Sequence, residues 1–287
     1  MAPAGPLILD FDQSVLPLPD SERLPLGDRQ ESVRFGCALD VLQRLAGEIR
    51  PAASGRSTVF LGSGDFHHLS HLLIQGHARR GEMLQVVVFD NHPDNMRYPF
   101  GIHCGSWVWH VSRLPFVSCV HVLGITSPDV GMAHAWENRL APLRSGRVRY
   151  WCVGPDLNWM KVLGIATSRS FGSIAEMLDA FAVHIHETTG PIYLSVDKDV
   201  LSPSEARTNW DQGVMRMEEL GAAIRGLRDR IIASDVTGDV SIYRYRSRLK
   251  RLLSGLDGQP EIAPDELLKW QAQHQSINRQ LLDWLNP

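Results

Sequence analysis

Val86-Val87-Val88-Phe89-Asp90-Asn91-His92-Pro93-Asp94 carries an apolar, β-branched segment straight into three metal-competent side chains. Residues 86–89 read as a buried strand. Asp90, His92 and Asp94 leave its end within five residues. If the strand continued, the three would share one face. If Pro93 turned the chain, they would curl around a point. In both geometries two carboxylates and an imidazole converge. That donor set suits Mn2+, Zn2+ or Fe2+ better than Ca2+, which takes only oxygen ligands. The plainer alternative is a polar Asn-His-Pro-Asp turn with solvated side chains, and the remaining sequence bears on the choice.

Outward from this stretch, strand and helix patterns alternate. Leu7-Ile8-Leu9-Asp10-Phe11 is the expected first strand, followed by a proline-broken loop over residues 13–27. Apolar positions at helical spacing, Val33, Cys37, Val41, Leu42 and Leu45 among them, predict a helix over 28–49 with Asp28 as its cap. Thr58-Val59-Phe60-Leu61 predicts a second strand, which breaks at Gly62-Ser63-Gly64-Asp65 before a helix over 68–80. Residues 86–89 form the third. Beyond it a buried helix is expected over 106–111 and strands over 120–124 and 148–153. A helix over 174–187, a strand over 192–196, a helix over 217–227, a strand within 230–236 and an amphipathic helix over 265–285 complete the series. This alternation predicts an α/β fold with three layers, α/β/α, and a mostly parallel sheet covered on both faces. No composition break divides the 287 residues, so 1–287 are read as a single domain. In such sheets function gathers at the carboxyl ends of the strands.

Composition narrows the function classes. Hydrophobic content of 44% and charged content of 21% are ordinary for a globular chain and exclude general disorder. A net charge of −3 gives no basis for a nucleic-acid partner. No run of 18 uncharged apolar residues is present, so no membrane-spanning helix is expected. Met1-Ala2-Pro3-Ala4-Gly5-Pro6 lacks the positive region of a signal peptide. Cys37, Cys104, Cys119 and Cys152 are scattered without CxxC spacing and read as reduced thiols of a cytoplasmic protein.

The unusual residues fall in the loops after predicted strands. Gly62-Ser63-Gly64-Asp65-Phe66-His67-His68 follows one, Asp90 to Asp94 another, and Ser195-Val196-Asp197-Lys198-Asp199 a third. Singly, each has a structural explanation as a helix cap or a strand-end carboxylate. Together they place four carboxylates and two imidazoles at one sheet edge. Such a cluster repels itself without cations. Two divalent ions about 3.5–4 Å apart would neutralise it and activate a water between them at neutral pH.

Asp65-Phe66-His67, Asp90-Asn91-His92-Pro93-Asp94 and Ser195-Val196-Asp197-Lys198-Asp199 resemble, in order, the three metal motifs of the arginase (ureohydrolase) superfamily. The resemblance covers roughly residues 58–236. Gly76-His77-Ala78-Arg79 resembles a segment following the first motif in arginases, and counting back from it selects His67 rather than His68 as the first ligand. The resemblance implies an arginase-like fold and a pair of metal ions, Mn2+ by preference, with Zn2+ or Fe2+ as alternatives. It implies His67, Asp90, His92, Asp94, Asp197 and Asp199 as ligands, with Asp197 bridging the ions. His103, in Gly101-Ile102-His103-Cys104-Gly105, resembles the family's proton-transfer histidine. Asp199 is expected to bond to the attacking water. His68 is expected beside the site, in contact with solvent, substrate or a neighbouring carboxylate.

The sequence also departs from the family. The segment between Asp94 and His103 lacks the pattern with which arginases hold the amino-acid end of arginine. Thr208-Asn209-Trp210-Asp211-Gln212-Gly213 is unlike arginase as well. Asp235 and Asp211 are the expected carboxylates for a guanidinium, which a carboxylate can grip in a bidentate way. The expected activity is hydrolysis of a linear C–N bond in a guanidino compound, giving urea and an amine. The substrate is a small molecule or an arginine side chain within a peptide. An amide deacetylase with a single Zn2+ and a non-catalytic metal-binding member are the alternatives. Homo-oligomers are common in the family, but nothing in the sequence specifies an interface.

Overall fold

The computed structural model describes residues 5–78, 82–248, 250–252 and 262–285. In chain order its strands are β1 (Leu7–Asp10), β2 (Glu22–Pro25), β3 (Gly36–Cys37), β4 (Thr58–Ser63) and β5 (Leu84–Phe89). Then come β6 (Ile102–His103), β7 (Val117–Ile125), β8 (Val148–Val153), β9 (Arg169–Phe171), β10 (Ile192–Asp197) and β11 (Ile231–Asp239). Nine of them form one sheet in the order β2-β1-β4-β11-β10-β5-β7-β8-β9. Every neighbouring pair in it is parallel. A parallel sheet needs cover on both faces, which is why β4, β5 and β10 are buried at every position rather than at alternate ones.

Two apolar layers supply that cover. Leu42, Leu45 and Ile49 of the helix Leu39–Ala53, with Leu72, Leu73, Trp107, Val108 and Val111, pack on one face. On the other, Met177, Phe181 and Ile185 of the helix Ile174–His186 join Leu220 and Ile224 of Met217–Leu227 and Ile277 and Leu281 of Pro264–Leu285. The three-layer α/β/α architecture expected from the alternation is therefore present.

Several local expectations are corrected. The predicted loop over 13–27 contains β2, which pairs with β1 at the sheet edge and is only partly covered. Its polar Glu-Arg sequence gives no apolar signal, and Pro25 is tolerated because an edge strand has unpaired donors anyway. The single helix over 28–49 is instead one turn, Gln30–Val33, then β3 paired antiparallel with β6, then the helix Leu39–Ala53. The turn ends where Arg34 adopts ψ 139°, and Phe35 follows with φ 68°, so the helix that the spacing alone would continue stops there. The helix over 68–80 begins as a 3-10 segment, Gly64–Leu69, and runs as Ser70–Gln75. Arg79 and Arg80 lie outside the described residues. β9, an edge strand of three residues, was too short to carry a periodic signal.

The fold puts the site at its centre through strand order. β10 and β11 insert between β4 and β5, so the carboxyl ends of four adjacent strands meet there. From that point earlier strands extend to one side and later strands to the other, the arrangement that opens a crevice in doubly wound sheets.

Candidate metal centre

His67 leaves the 3-10 segment after β4, Asp90 the end of β5, and Asp197 the end of β10. Their donor atoms lie within 4.8 Å of one another. Asp90, His92 and Asp199 form a second such group. The two groups share Asp90. Asp94 joins the first group, with its Oδ2 3.2 Å from His67 Nδ1. It holds φ 46°, a left-handed conformation uncommon outside glycine, which turns its carboxylate back toward β5. The six expected ligands are thus brought together, buried except for partly covered His92.

The hydrogen-bond pattern fixes what each imidazole can do. Tyr193 Oη and Ser195 Oγ both donate to Asp235, at 2.6 Å each. The one proton of Ser195 is thereby used, so the 2.9 Å contact between His67 Nε2 and Ser195 Oγ requires His67 to donate. A neutral His67 then has a bare Nδ1. That atom faces Asp90 Oδ2 at 3.2 Å, Asp94 Oδ2 at 3.2 Å and Asp197 Oδ2 at 3.3 Å. His92 repeats the arrangement. Its Nε2 donates to Asp211 Oδ1 at 2.7 Å, while Nδ1 lies 2.9 Å from Asp199 Oδ2 and 3.6 Å from Asp90 Oδ1. A bare nitrogen facing carboxylate oxygens is repulsive unless a proton or a metal ion sits between them.

The ionisation tendencies carry the same message. Burial disfavours a charged His67, but the Asp197, Asp90 and Asp94 carboxylates around its Nδ1 overcome it and raise its pKa well above the ordinary value. Burial and the charge of Asp90 push the Asp94 carboxyl up to about 7. Burial, with Asp197 and Asp90 nearby, drives Asp199 well above the usual carboxylate range. The cluster as protein alone must therefore retain protons, and divalent cations are the natural replacement for them. Asp90 Oδ2 also accepts no hydrogen bond although it is buried. The donor set of imidazole and carboxylate fits Mn2+, Zn2+ or Fe2+.

A cavity of about 480 Å3 opens from these groups and is walled by Met96, Tyr98, His103, Glu137, Trp210 and Asp211 among others. His103 lines it as expected. Its Nδ1 accepts from Gly105 N at 2.9 Å, so its proton sits on Nε2, and burial lowers its pKa to about 3. Asp211 also lines the cavity, but its Oδ1 accepts from His92 and its Oδ2 from Asn91 Nδ2 at 3.3 Å.

Two expected substrate contacts do not hold. His68 is fully buried and does not line the cavity. Successive residues of a 3-10 turn stand about 120° apart, so with His67 on the carboxylates His68 faces elsewhere. Asp235 is fully buried inside β11, opposite Ser195 in register, because the strand runs on to Asp239. It acts on His67 through Ser195 and does not reach the cavity.

Other supporting residues gave little sequence signal. Trp107 reads as core, yet its Nε1 donates to Asp94 Oδ2 at 2.7 Å. Arg34 lies in a predicted helix, yet it is buried and pairs with Asp65 at 2.6 Å and Asp12 at 3.5 Å, tying the first motif to the β1 side. Asn91 holds two loops at once. Its backbone N–H donates to Asp199 Oδ1 at 3.0 Å, and its side-chain oxygen accepts from Thr126 Oγ1 at 2.6 Å.

The chain is similar to known proteins. The chain is 28% identical over 181 residues to an uncharacterized protein of Thermotoga maritima, and the match spans 63% of this chain and 57% of that relative. Arginase from Bacillus caldovelox superposes with a TM-score of 0.54 at 18% identity, covering 91% of this chain and all of that one. Formimidoylglutamase from Bacillus subtilis superposes with a TM-score of 0.56 at 14% identity, covering 99% and 88%. The sequence profile of the Arginase family matches residues 9–238, a span that takes in all three metal motifs. With those motifs seated together at the centre of this parallel sheet, the chain belongs to the arginase family.

Proposed function

We propose that the protein is a binuclear metal-dependent hydrolase of a linear C–N bond in a guanidino compound, releasing urea and an amine, with Mn2+ as the preferred ion. The observation that carries this reading is the pair of imidazoles whose Nε2 atoms are engaged as donors while their Nδ1 atoms face carboxylates. His67, Asp90, Asp94 and Asp197 would hold one ion, and Asp90, His92 and Asp199 the other. When bound, the ions supply charge neutralisation and a water made nucleophilic at neutral pH.

The cavity supports a cationic reacting group. No lysine or arginine is among the described residues that line it, and Asp129, Glu137 and Asp211 add carboxylates outside the two metal groups. A guanidinium is favoured there and a carboxylate tail is not. Asp199 Oδ1 accepts from Asn91 N–H at 3.0 Å, so its orientation is fixed before substrate arrives. His103 offers Nε2–H to the leaving nitrogen as a hydrogen-bond donor. For it to move a proton as imidazolium, Nδ1 would have to give up its bond from Gly105.

The test is metal content per chain after Mn2+ reconstitution, for wild type and Asp197→Ala, joined to a urea assay over guanidino compounds with amine, neutral and carboxylate tails. Two ions in wild type, fewer in the variant, and urea from an amine-tailed or neutral compound are expected. A single tightly held Zn2+ with acetate release from acyl-amines would replace this reading by the deacetylase one. No stoichiometric metal would overturn it.

A further inference from the structure

The two metal groups are supported differently. His67 is backed by Ser195 and Asp235, both fully buried. His92 is backed by Asp211, whose side chain is 63% exposed. We propose that Asp211 is the positioning residue of the second metal group: it holds His92 for that ion, and because this support is open to water where that of His67 is buried, the second group is the weaker and more exchangeable of the two. This rests on the binuclear reading above.

Asp211 lies twelve residues beyond Asp199, on the loop that returns across the site after β10. The loop is anchored at both ends. Gly213 N donates to Asp199 O at 2.7 Å, and Asn209 Nδ2 donates to Ser241 O at 3.1 Å. Asn91 Nδ2 reaches Asp211 O at 3.2 Å, so the loop is stitched to the motif that contains His92. Trp210 sets the height of the loop. Its ring meets His92 edge-on at 6.1 Å, and a methyl group on Gly64 would come within 3.2 Å of it. Asp211 therefore arrives at His92 Nε2 on a fixed frame, not as a free side chain.

Two consequences follow for His92. The carboxylate selects the tautomer that leaves Nδ1 bare for a metal, and it raises the basicity of that nitrogen. Because Asp211 is open to water, this support is also more easily disturbed than the buried one behind His67. Removing such an outer partner costs about 10–100-fold in metal affinity.

The experiment titrates metal-free protein with Mn2+, followed by calorimetry and by the electron paramagnetic resonance of spin-coupled Mn2+ pairs. Wild type, Asp211→Ala and Asp211→Asn are compared, with thermal unfolding of each metal-free protein as the folding control. Wild type is expected to show two binding events of unequal affinity. In Asp211→Ala the weaker event should fall about 10–100-fold and the coupled signal should fade, while the tighter event stays within about threefold. Asp211→Asn keeps an acceptor for Nε2–H, so it should lie between the two, and it decides the matter if the alanine variant misfolds. Two events unchanged in both variants, or both events weakened equally, would overturn the proposal while leaving the binuclear reading intact. A wild type that binds fewer than two ions would overturn both.

Discussion

Gly238 shows how closely single residues are fitted to the centre. It holds φ 84° at the carboxyl end of β11, and a methyl group there would lie 2.4 Å from Asp197 Oδ1 and 2.7 Å from Lys198 N. Any side chain must displace the Asp197 carboxylate and also accept a left-handed backbone. Gly238→Ala should therefore lose about 1–3 kcal/mol of stability in urea unfolding. It should also bind less metal, because the first atom it meets belongs to Asp197. Retention of full metal content would mean that β11 can shift without disturbing β10. The same logic of fixed neighbours explains His67. Its Nε2 acts as a donor because the one hydrogen of Ser195 Oγ has already gone to Asp235.

At the scale of elements, the helix Pro264–Leu285 is tied to the metal loop by a buried ionic group. Lys198, between Asp197 and Asp199, pairs with Asp239 of β11 at 2.7 Å, and neither side chain is exposed. Asn278 of the helix accepts from Lys198 Nζ at 2.8 Å and donates to Asp239 at 2.9 Å. Removing one partner of such a pair strands the other charge. Lys198→Met should thus cost about 3–5 kcal/mol, whereas the double variant Lys198→Met with Asp239→Leu should recover most of it. Urea unfolding measures the cost, and hydrogen exchange of residues 264–285 should rise in the single variant only. Equal losses in the single and double variants would show that the pair holds the helix by its hydrogen bonds and not by charge balance.

The whole molecule stores a pH dependence in its buried histidines. His121 on β7 donates from Nε2 to Gln85 of β5 at 3.0 Å and accepts on Nδ1 from Trp151 of β8 at 3.3 Å. Burial lowers its pKa from 6.5 to about 3. The folded state resists the proton that the unfolded chain takes readily. Its contribution is therefore full above pH 6.5 and is lost as the pH falls toward about 3. Comparing wild type with His121→Gln isolates this from the metal ligands, some of which titrate in the opposite sense. Between pH 6.5 and about 3 the stability difference between them should shift against wild type by up to about 1.4 kcal/mol per pH unit. A difference independent of pH between 7 and 4 would mean that the ring gains solvent when it is protonated.

The chain itself determined the layered α/β architecture, because uniformly apolar β-branched runs alternating with helical spacing have no other economical burial. It also announced a candidate metal site, since four aspartates and two histidines packed into three short motifs form a donor set that suits divalent cations. What it could not express was adjacency. That β10 and β11 enter between β4 and β5, bringing residue 67 beside residue 197, is a choice of strand order made by three-dimensional packing. The exchange of roles between expected substrate carboxylates has the same origin. Asp235 is drawn inside because β11 runs four residues past it, and Asp211 is spent on His92 because its loop crosses the site. Hydrogen-bond partners depend on which atoms end a few ångströms apart, and only the tertiary structure sets that distance.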